Sequence, residues 1–228
     1  NKAIGDQTML KSYKKHVQER ADLNIPPLPL DADQTSQLVE LLKSEHDESD
    51  FLLNLFKERV PAGVDQAAYV KAAFLADISE GNASSPYIDN IEAVKILGTM
   101  LGGYNIQPLI KCLKNDELAA TAVDTLSKTL LIFDAFNEIF ELSETNKYAE
   151  QVIKNWADAT WFTDKQDLPK KIKLTVYKVS GEINTDDLSP APDAWSRPDI
   201  PLHALAMFKM PRAGLSDPLE TIDKLKEK

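Results

Sequence analysis

The stretch that decides the fold is residues 89–133, which reads DNIEAVKILGTMLGGYNIQPLIKCLKNDELAATAVDTLSKTLLIF. Apolar residues recur in it every three or four positions, in runs that are separated by Gly102-Gly103 and by Asn115-Asp116. This period is typical of amphipathic helices, and glycine, asparagine and aspartate are typical of the turns that end them. Because the turns are short, we expect neighbouring helices to pack antiparallel as hairpins.

The same period extends outward over most of the first 160 residues. Apolar faces of helical spacing also occupy the segments 9–22, 38–42, 51–56, 70–78 and 148–156. Paired helices joined by short turns resemble HEAT-type repeats, in which stacked pairs share one continuous core. We therefore predict a mainly α fold of HEAT-like stacked helical hairpins. Cys112 lies in one of the apolar faces and is interpreted as a small core residue, not a ligand or nucleophile.

Local signals also predict where some of these helices begin and end. Asp31 is expected to cap the helix that follows it, because a short carboxylate accepts hydrogen bonds from the first free amides. Gly81 is expected to close the helix that carries 70–78, since glycine tolerates a left-handed backbone. The prolines between 26 and 29 exclude helix from that stretch.

Composition excludes several classes of protein. The 228 residues carry 26 basic and 36 acidic side chains, a net charge of −10, which argues against a dedicated nucleic-acid binder. No apolar run approaches the length that spans a bilayer and no signal peptide opens the chain, so we expect a cytoplasmic protein without a membrane partner. The single cysteine, Cys112, permits neither an internal disulfide nor a cysteine-built metal cluster within this chain.

The last third of the chain is built differently from the rest. Six of the 13 prolines lie between 169 and 211, and basic and acidic residues balance after residue 160. Ile172, Leu174 and Val176 alternate with polar residues, a pattern that predicts a half-buried strand.

A loop rich in short oxygen-bearing side chains follows, with residues 181–192 reading GEINTDDLSPAP. Such side chains hydrogen-bond their own backbone, so the loop can be rigid without regular structure. Two interpretations of Arg197 stay open on the residues alone. It forms an ion pair with Asp193 or Asp199 in a surface loop, or it binds the two oxygens of a carboxylate with two N–H groups of its guanidinium. An acid–base pair made from Asp186 and Asp187 is not predicted, because adjacent side chains seldom aim at the same atom.

The loop resembles a segment of one enzyme family. Residues 183–191, INTDDLSPA, resemble the loop Ile-Thr-Thr-Asp-His-Ile-Ser-Pro-Ala in the swivelling domain of aconitases, and Asn184 and Asp187 bring it closer to the bacterial aconitase B form. The stretches WSRPDIPLHALAM at 195–207 and PPLPLDA at 26–32 are similar to that family as well.

The resemblance implies a lyase, an aconitate hydratase that isomerises citrate and isocitrate through cis-aconitate and also hydrates 2-methyl-cis-aconitate. It implies that Arg197 binds a substrate carboxylate and that no residue of this chain is catalytic or binds a metal. The supporting loop is then formed by Asn184, Thr185, Asp186, Asp187, Ser189 and Ser196. The parent protein would carry a [4Fe-4S] cluster whose cysteine ligands are absent from this chain, so the chain alone is expected to be inactive.

On this basis we divide the chain into four parts. Residues 1–8 are an extension or a cloning remnant, 9–160 a HEAT-like domain, 161–171 a linker, and 172–228 the start of a small, incomplete α/β swivelling domain. We therefore expect an amino-terminal portion that stops inside the swivelling domain.

Two other functions stay open. The chain could be a free-standing HEAT-like interaction or dimerisation module, and the family implies an iron-dependent homodimer through this domain. The family also implies binding of mRNA by the cluster-free form, although a net charge of −10 disfavours phosphate contacts. Cations for such contacts occur in two places only, the cluster Lys11, Lys14, Lys15 and Arg20 and the run 170–173.

Overall fold

The computed structural model describes residues 2–23, 27–176, 178–196, 200–210, 220 and 224. These residues are mainly helical, which confirms the predicted mainly α class. The helices of the described part are α1 (Lys2–Asp22), α2 (Ala32–Leu42), α3 (Ser49–Glu58), α4 (Gln66–Ser79), α5 (Asn90–Gly98), α6 (Ile106–Cys112), α7 (Ala119–Lys128), α8 (Ala135–Ser143), α9 (Lys147–Ala157), α10 (Thr160–Thr163), α11 (Thr185–Leu188) and α12 (Ile200–Ala204).

The contacts divide the chain into two compact units. The helical unit comprises Leu30–Asp167, and the second unit combines residues 1–29 with 168–228. The predicted extension over 1–8 is helical from Lys2 onward, as the start of α1. The proposed domain boundaries at 160 and 171 stay a prediction.

Short polar side chains set the starts of several helices in the helical unit. Asp31 accepts a hydrogen bond from the Gln34 N–H at 2.8 Å, and the Gln34 side chain accepts one from the Asp31 N–H in return, which confirms the predicted cap. Asp65 and Asp89 cap α4 and α5 in the same extended backbone conformation. These caps satisfy amides that have no partner inside the helix, so each helix begins at a defined residue.

The helices pack as successive pairs. α4 packs on α5, α6 on α7 and α8 on α9, while α5, α7 and α9 also contact one another in chain order. The apolar faces predicted from the sequence meet between the pairs. The largest fully buried side chains there are Leu30, Leu38, Leu42, Leu52, Leu55, Phe56, Leu75, Ile78, Ile88, Leu97, Leu109 and Ile110. The helix pairs thus pack through these apolar faces, whereas the antiparallel direction within each pair stays a prediction.

The turn from α5 to α6 is held by a buried amide. Asn105 is 1% exposed, and its Nδ2 donates to the carbonyl oxygens of Leu97 at 2.8 Å and Met100 at 3.0 Å. Gly103, just before it, has a φ of +83°, a left-handed conformation that disfavours other residues. The predicted Gly102-Gly103 turn therefore forms. Asn105 donates to the Met100 carbonyl and adds a second donor to the Leu97 carbonyl, which also accepts from the Met100 N–H at 3.1 Å.

Cys112 lies in the core of the helical unit, at 3% exposure. Burial raises the pKa of its thiol, which disfavours the thiolate needed for nucleophilic attack or metal binding. The interpretation of Cys112 as a small core residue agrees with this position.

The predicted strand over 172–176 does not form. Residues 171–176 have no regular structure, and the part of the chain that the structure describes contains no strand. Ile172, Leu174 and Val176 are 55%, 75% and 78% exposed. The alternating pattern shows which side chains a sheet could bury, but a strand forms only where a neighbour satisfies its backbone amides and carbonyls.

We expect Asn105→Ala to lower the unfolding free energy of the helical unit by about 1–3 kcal/mol, because the Met100 carbonyl loses its donor and the Leu97 carbonyl loses one of two in a site closed to water. Urea denaturation followed by circular dichroism measures the change. The matched control is Asn137→Ala on the exposed side of α8, which should shift the midpoint little. Equal midpoints for the two variants would contradict the role assigned to Asn105.

We expect Gly98→Ala to destabilise the helical unit by about 1–3 kcal/mol, because α5 and α7 approach closely at this residue. A Cβ atom at Gly98 would lie 2.4 Å from Cγ2 and 2.7 Å from Cβ of Thr125. The double variant Gly98→Ala/Thr125→Ser removes the closer atom and should regain part of the loss, with Thr125→Ser alone as the control. Melting temperatures that show no recovery would refute the steric explanation.

Candidate functional site

The predicted loop and the described residues after it form a segment that we call the site loop, residues 183–196 and 200–209. It begins with Asn184, whose Oδ1 accepts hydrogen bonds from the N–H groups of Asp186 at 2.9 Å and Asp187 at 3.1 Å. In return, Asp187 Oδ2 accepts a hydrogen bond from the Asn184 N–H at 2.9 Å. This reciprocal cap folds Thr185–Leu188 into one helical turn, so the short polar side chains do stiffen their own backbone.

The turn is joined to the later part of the site loop by a backbone hydrogen bond. The Phe208 N–H donates to the Asp187 carbonyl at 2.7 Å, and Phe208 is buried. Thr185 and Asp186 remain exposed at the opposite side of the turn. Of the predicted supporting residues, Asn184 and Asp187 therefore build the loop, whereas Thr185 and Asp186 face solvent.

An imidazole connects two serines of the site loop. Nε2 of His203 lies 2.8 Å from Ser189 Oγ, and Nδ1 lies 2.8 Å from Ser196 Oγ. The Ser196 hydroxyl donates to the Asp193 carbonyl at 2.7 Å and is buried at the end of the 3-10 helix Ala191–Ser196. The two predicted serines, separated by seven positions in the chain, are thus brought together by a histidine that the sequence analysis did not select.

A buried ion pair lies beside this chain of hydrogen bonds. The ammonium of Lys209 contacts Oδ2 of Asp193, and the side chains are 15% and 3% exposed. The cation that the structure shows against Asp193 is therefore Lys209, a partner that the sequence interpretation did not consider. Removing either partner would leave an uncompensated charge away from water, so the pair fixes both ends of the segment 193–209.

Arg197 lies outside the described residues, together with Pro198 and Asp199. Its role at an anion site stays a prediction. The described residues on either side are Ser196, which is buried and hydrogen-bonded, and Ile200, which begins α12.

The Ser189–His203 contact has the geometry by which a base activates a serine nucleophile. In such enzymes a carboxylate holds the second nitrogen and stabilises the imidazolium that forms during attack. Here Nδ1 faces the Ser196 hydroxyl instead, which carries no counter-charge. The arrangement is therefore suited to holding the loop in position more than to covalent chemistry.

The residues of this chain do not fit an iron–sulfur cluster. Such clusters are held by several thiolates, and the sequence contains one cysteine, which is buried in the helical core. Among the residues that the structure describes, no group of three or more His, Cys, Asp or Glu side chains is placed to hold a metal ion. No helix in the described residues is both long and apolar enough to cross a membrane.

A shallow cavity of about 400 Å³ lies between α7 and α9 in the helical unit, lined by Ala120, Val123, Lys147, Tyr148 and Gln151. Its polar groups already have partners. The Tyr148 hydroxyl donates to Asp116 at 3.1 Å, and the Lys147 ammonium lies 4.7 Å from the centre of the Tyr148 ring. None of the predicted site residues lines this cavity.

Comparison with known proteins gives two family matches in chain order. The model of the aconitate B N-terminal domain matches residues 12–162, and that of the aconitate hydratase 2 N-terminus matches residues 174–228. The first match covers the stacked hairpins and the second covers the site loop.

Curated relatives agree with these matches. The chain is 54% identical to aconitate hydratase B of Pseudomonas aeruginosa over 229 residues, and the match covers 96% of the chain and 26% of the relative. Aconitate hydratase B of Escherichia coli is 54% identical with the same two coverages. Aconitate hydratase B of Helicobacter pylori is 46% identical over 202 residues, which is 88% of the chain and 24% of the relative. The chain therefore spans about a quarter of the length of these relatives, and it belongs to the aconitase B family, corresponding to its amino-terminal region.

Proposed function

We propose that the chain is the amino-terminal portion of an aconitate hydratase, a lyase that isomerises citrate and isocitrate through cis-aconitate and also hydrates 2-methyl-cis-aconitate. The observation that carries the proposal is 54% identity over 96% of the chain to proteins named aconitate hydratase B. The two family matches follow each other in the order expected for the start of such an enzyme.

The role proposed for this chain is to present Arg197 to a tricarboxylate substrate from the site loop. A guanidinium matches the two oxygens of a carboxylate, provided that the backbone holds it in a fixed place. The fixed backbone on the amino-terminal side supports this role, because Ser196 is buried and bonded to both Asp193 and His203. The [4Fe-4S] cluster of the parent enzyme would be held by thiolates outside this chain, so the chain alone is proposed to show no turnover.

A second proposed role is that of a HEAT-like interaction platform, including an iron-dependent homodimer. The observation that favours it is a set of exposed aromatic side chains on and beside α8 and α10, both of which pack on α9. The exposed residues are Phe133, Phe136, Phe140, Trp161 and Phe162. Exposed apolar surface of this extent is typical of sites that other proteins cover.

Binding of mRNA by the cluster-free form has less support. The proposed footholds on α1 include Lys15, which forms an ion pair with Glu19 at 3.4 Å. With a net charge of −10, few cations are left to release counterions from phosphates.

We expect Arg197→Lys in the full-length protein to lower kcat/KM for cis-aconitate by about 100-fold, because an ammonium cannot replace the two parallel hydrogen bonds of a guanidinium. The loss of cis-aconitate absorbance measures the rate. The matched control is Arg20→Lys on α1, which should change kcat/KM little. Near-normal kinetics for Arg197→Lys would refute its role in substrate binding.

We expect the chain to sediment at twice the mass of a single copy when ferrous iron is present, and as a single copy after chelation, if the platform dimerises through iron. Analytical ultracentrifugation at matched protein concentrations measures both states. Zinc or magnesium at the same concentration serves as the control for a general divalent effect. An unchanged mass with iron would remove the dimer from the proposal.

A further inference from the structure

We propose that His203 is a positioning residue that fixes the start of the Arg197 segment by holding Ser196. The inference rests on the proposed function, since it concerns how the substrate-binding arginine is kept in place. It assigns to His203 a role that acts through a neighbour, without contact to the substrate.

The direction of the hydrogen bonds defines the state of the imidazole. We assign the Ser196 hydroxyl as donor to the Asp193 carbonyl at 2.7 Å, which makes its oxygen the acceptor at His203 Nδ1. Nδ1 therefore carries a proton, and in a neutral imidazole Nε2 then accepts from the Ser189 hydroxyl. One imidazole ring thus contacts two serines that lie in different turns of the site loop.

The imidazole is itself anchored on both sides. His203 lies in α12, where Leu202 has no exposed surface, and Ala206 in the turn that follows is equally buried. Further along, the Phe208 N–H donates to the Asp187 carbonyl, and the Lys209 ammonium pairs with Asp193. The last two contacts join residues 208 and 209 to Asp187 and Asp193, so the segment that carries the imidazole is held to the earlier part of the site loop.

Ser196 directly precedes Arg197 in the sequence and is the described residue nearest to it on that side. Its buried hydroxyl contacts His203 Nδ1 at 2.8 Å, so this contact holds the Ser196 side chain. Displacing a binding group by about 1 Å can reduce the rate by about 100-fold. Loss of the His203–Ser196 contact is therefore expected to weaken substrate binding although neither group touches the substrate.

The first experiment compares serine and histidine variants of the full-length protein in the cis-aconitate assay. Ser196→Ala and His203→Gln remove the contact at Nδ1 and should lower kcat/KM by about tenfold or more. His203→Asn places its amide nitrogen near the position of Nδ1 and should therefore lose about threefold or less. Ser36→Ala, whose hydroxyl bonds only the Ala32 carbonyl on the exposed side of α2, is the matched control.

The second measurement separates positioning from general structural support. If His203 acts through the arginine, the double variant Arg197→Lys/His203→Gln should lose no more activity than Arg197→Lys alone. Multiplied losses would overturn the inference, as would equal losses in His203→Asn and His203→Gln. An inactive wild-type protein would overturn the proposed function and the inference with it, whereas an active wild type with multiplied losses overturns the inference alone.

A third measurement tests the geometry without any assay of activity. The chain has three histidines, and ¹⁵N resonances of His203 can be assigned by their absence in His203→Asn. We expect a bound proton at Nδ1 in the folded 228-residue chain. A proton at Nε2 alone would show that His203 does not donate to Ser196 and would overturn the inference.

Discussion

The helical unit depends on one constraint, which is that each short helix must bury its apolar face against the next pair. α5, α6 and α7 contain 9, 7 and 10 residues, and helices of this length are marginal in water by themselves. Leu97, Leu109 and Leu126, one from each, have no exposed surface. Their burial supplies the stability that local propensity cannot, so the pairs form only as a stack.

Packing the helices together also leaves backbone groups at their ends that need hydrogen-bond partners, and polar side chains provide these. Helix ends that lie inside the stack leave backbone carbonyls without water, and each must find a donor. Asn105 serves two carbonyls at the end of α5. Asn146 serves the Leu113 carbonyl at 2.9 Å while its Oδ1 caps α9. The buried Asn105 and the half-buried Asn146 thus satisfy carbonyls at helix ends that apolar side chains cannot.

The site loop is held by different means. Its helical turns, Thr185–Leu188 and Ile200–Ala204, are too short for an extended apolar core. It is held instead by three kinds of contact: the hydrogen bonds of His203, the cap between Asn184 and Asp187, and the buried Asp193–Lys209 ion pair. A loop built from directional contacts fixes positions more precisely than apolar packing, which suits a segment proposed to aim a guanidinium at a carboxylate.

The sequence by itself determined those features that depend on residues close in the chain. The helical period of 89–133, the cap at Asp31 and the turn at Gly102-Gly103 were predicted because three or four consecutive residues set them. The prediction of a strand over 172–176 was wrong, because an alternating pattern of apolar residues does not show whether a partner strand is present. Only the tertiary structure brought His203 to Ser189 and Ser196, and Lys209 to Asp193, since these contacts join residues 7 to 16 positions apart with no local period to mark them. Their partners are chosen by how the loop folds back on itself, which is a property of packing and not of spacing.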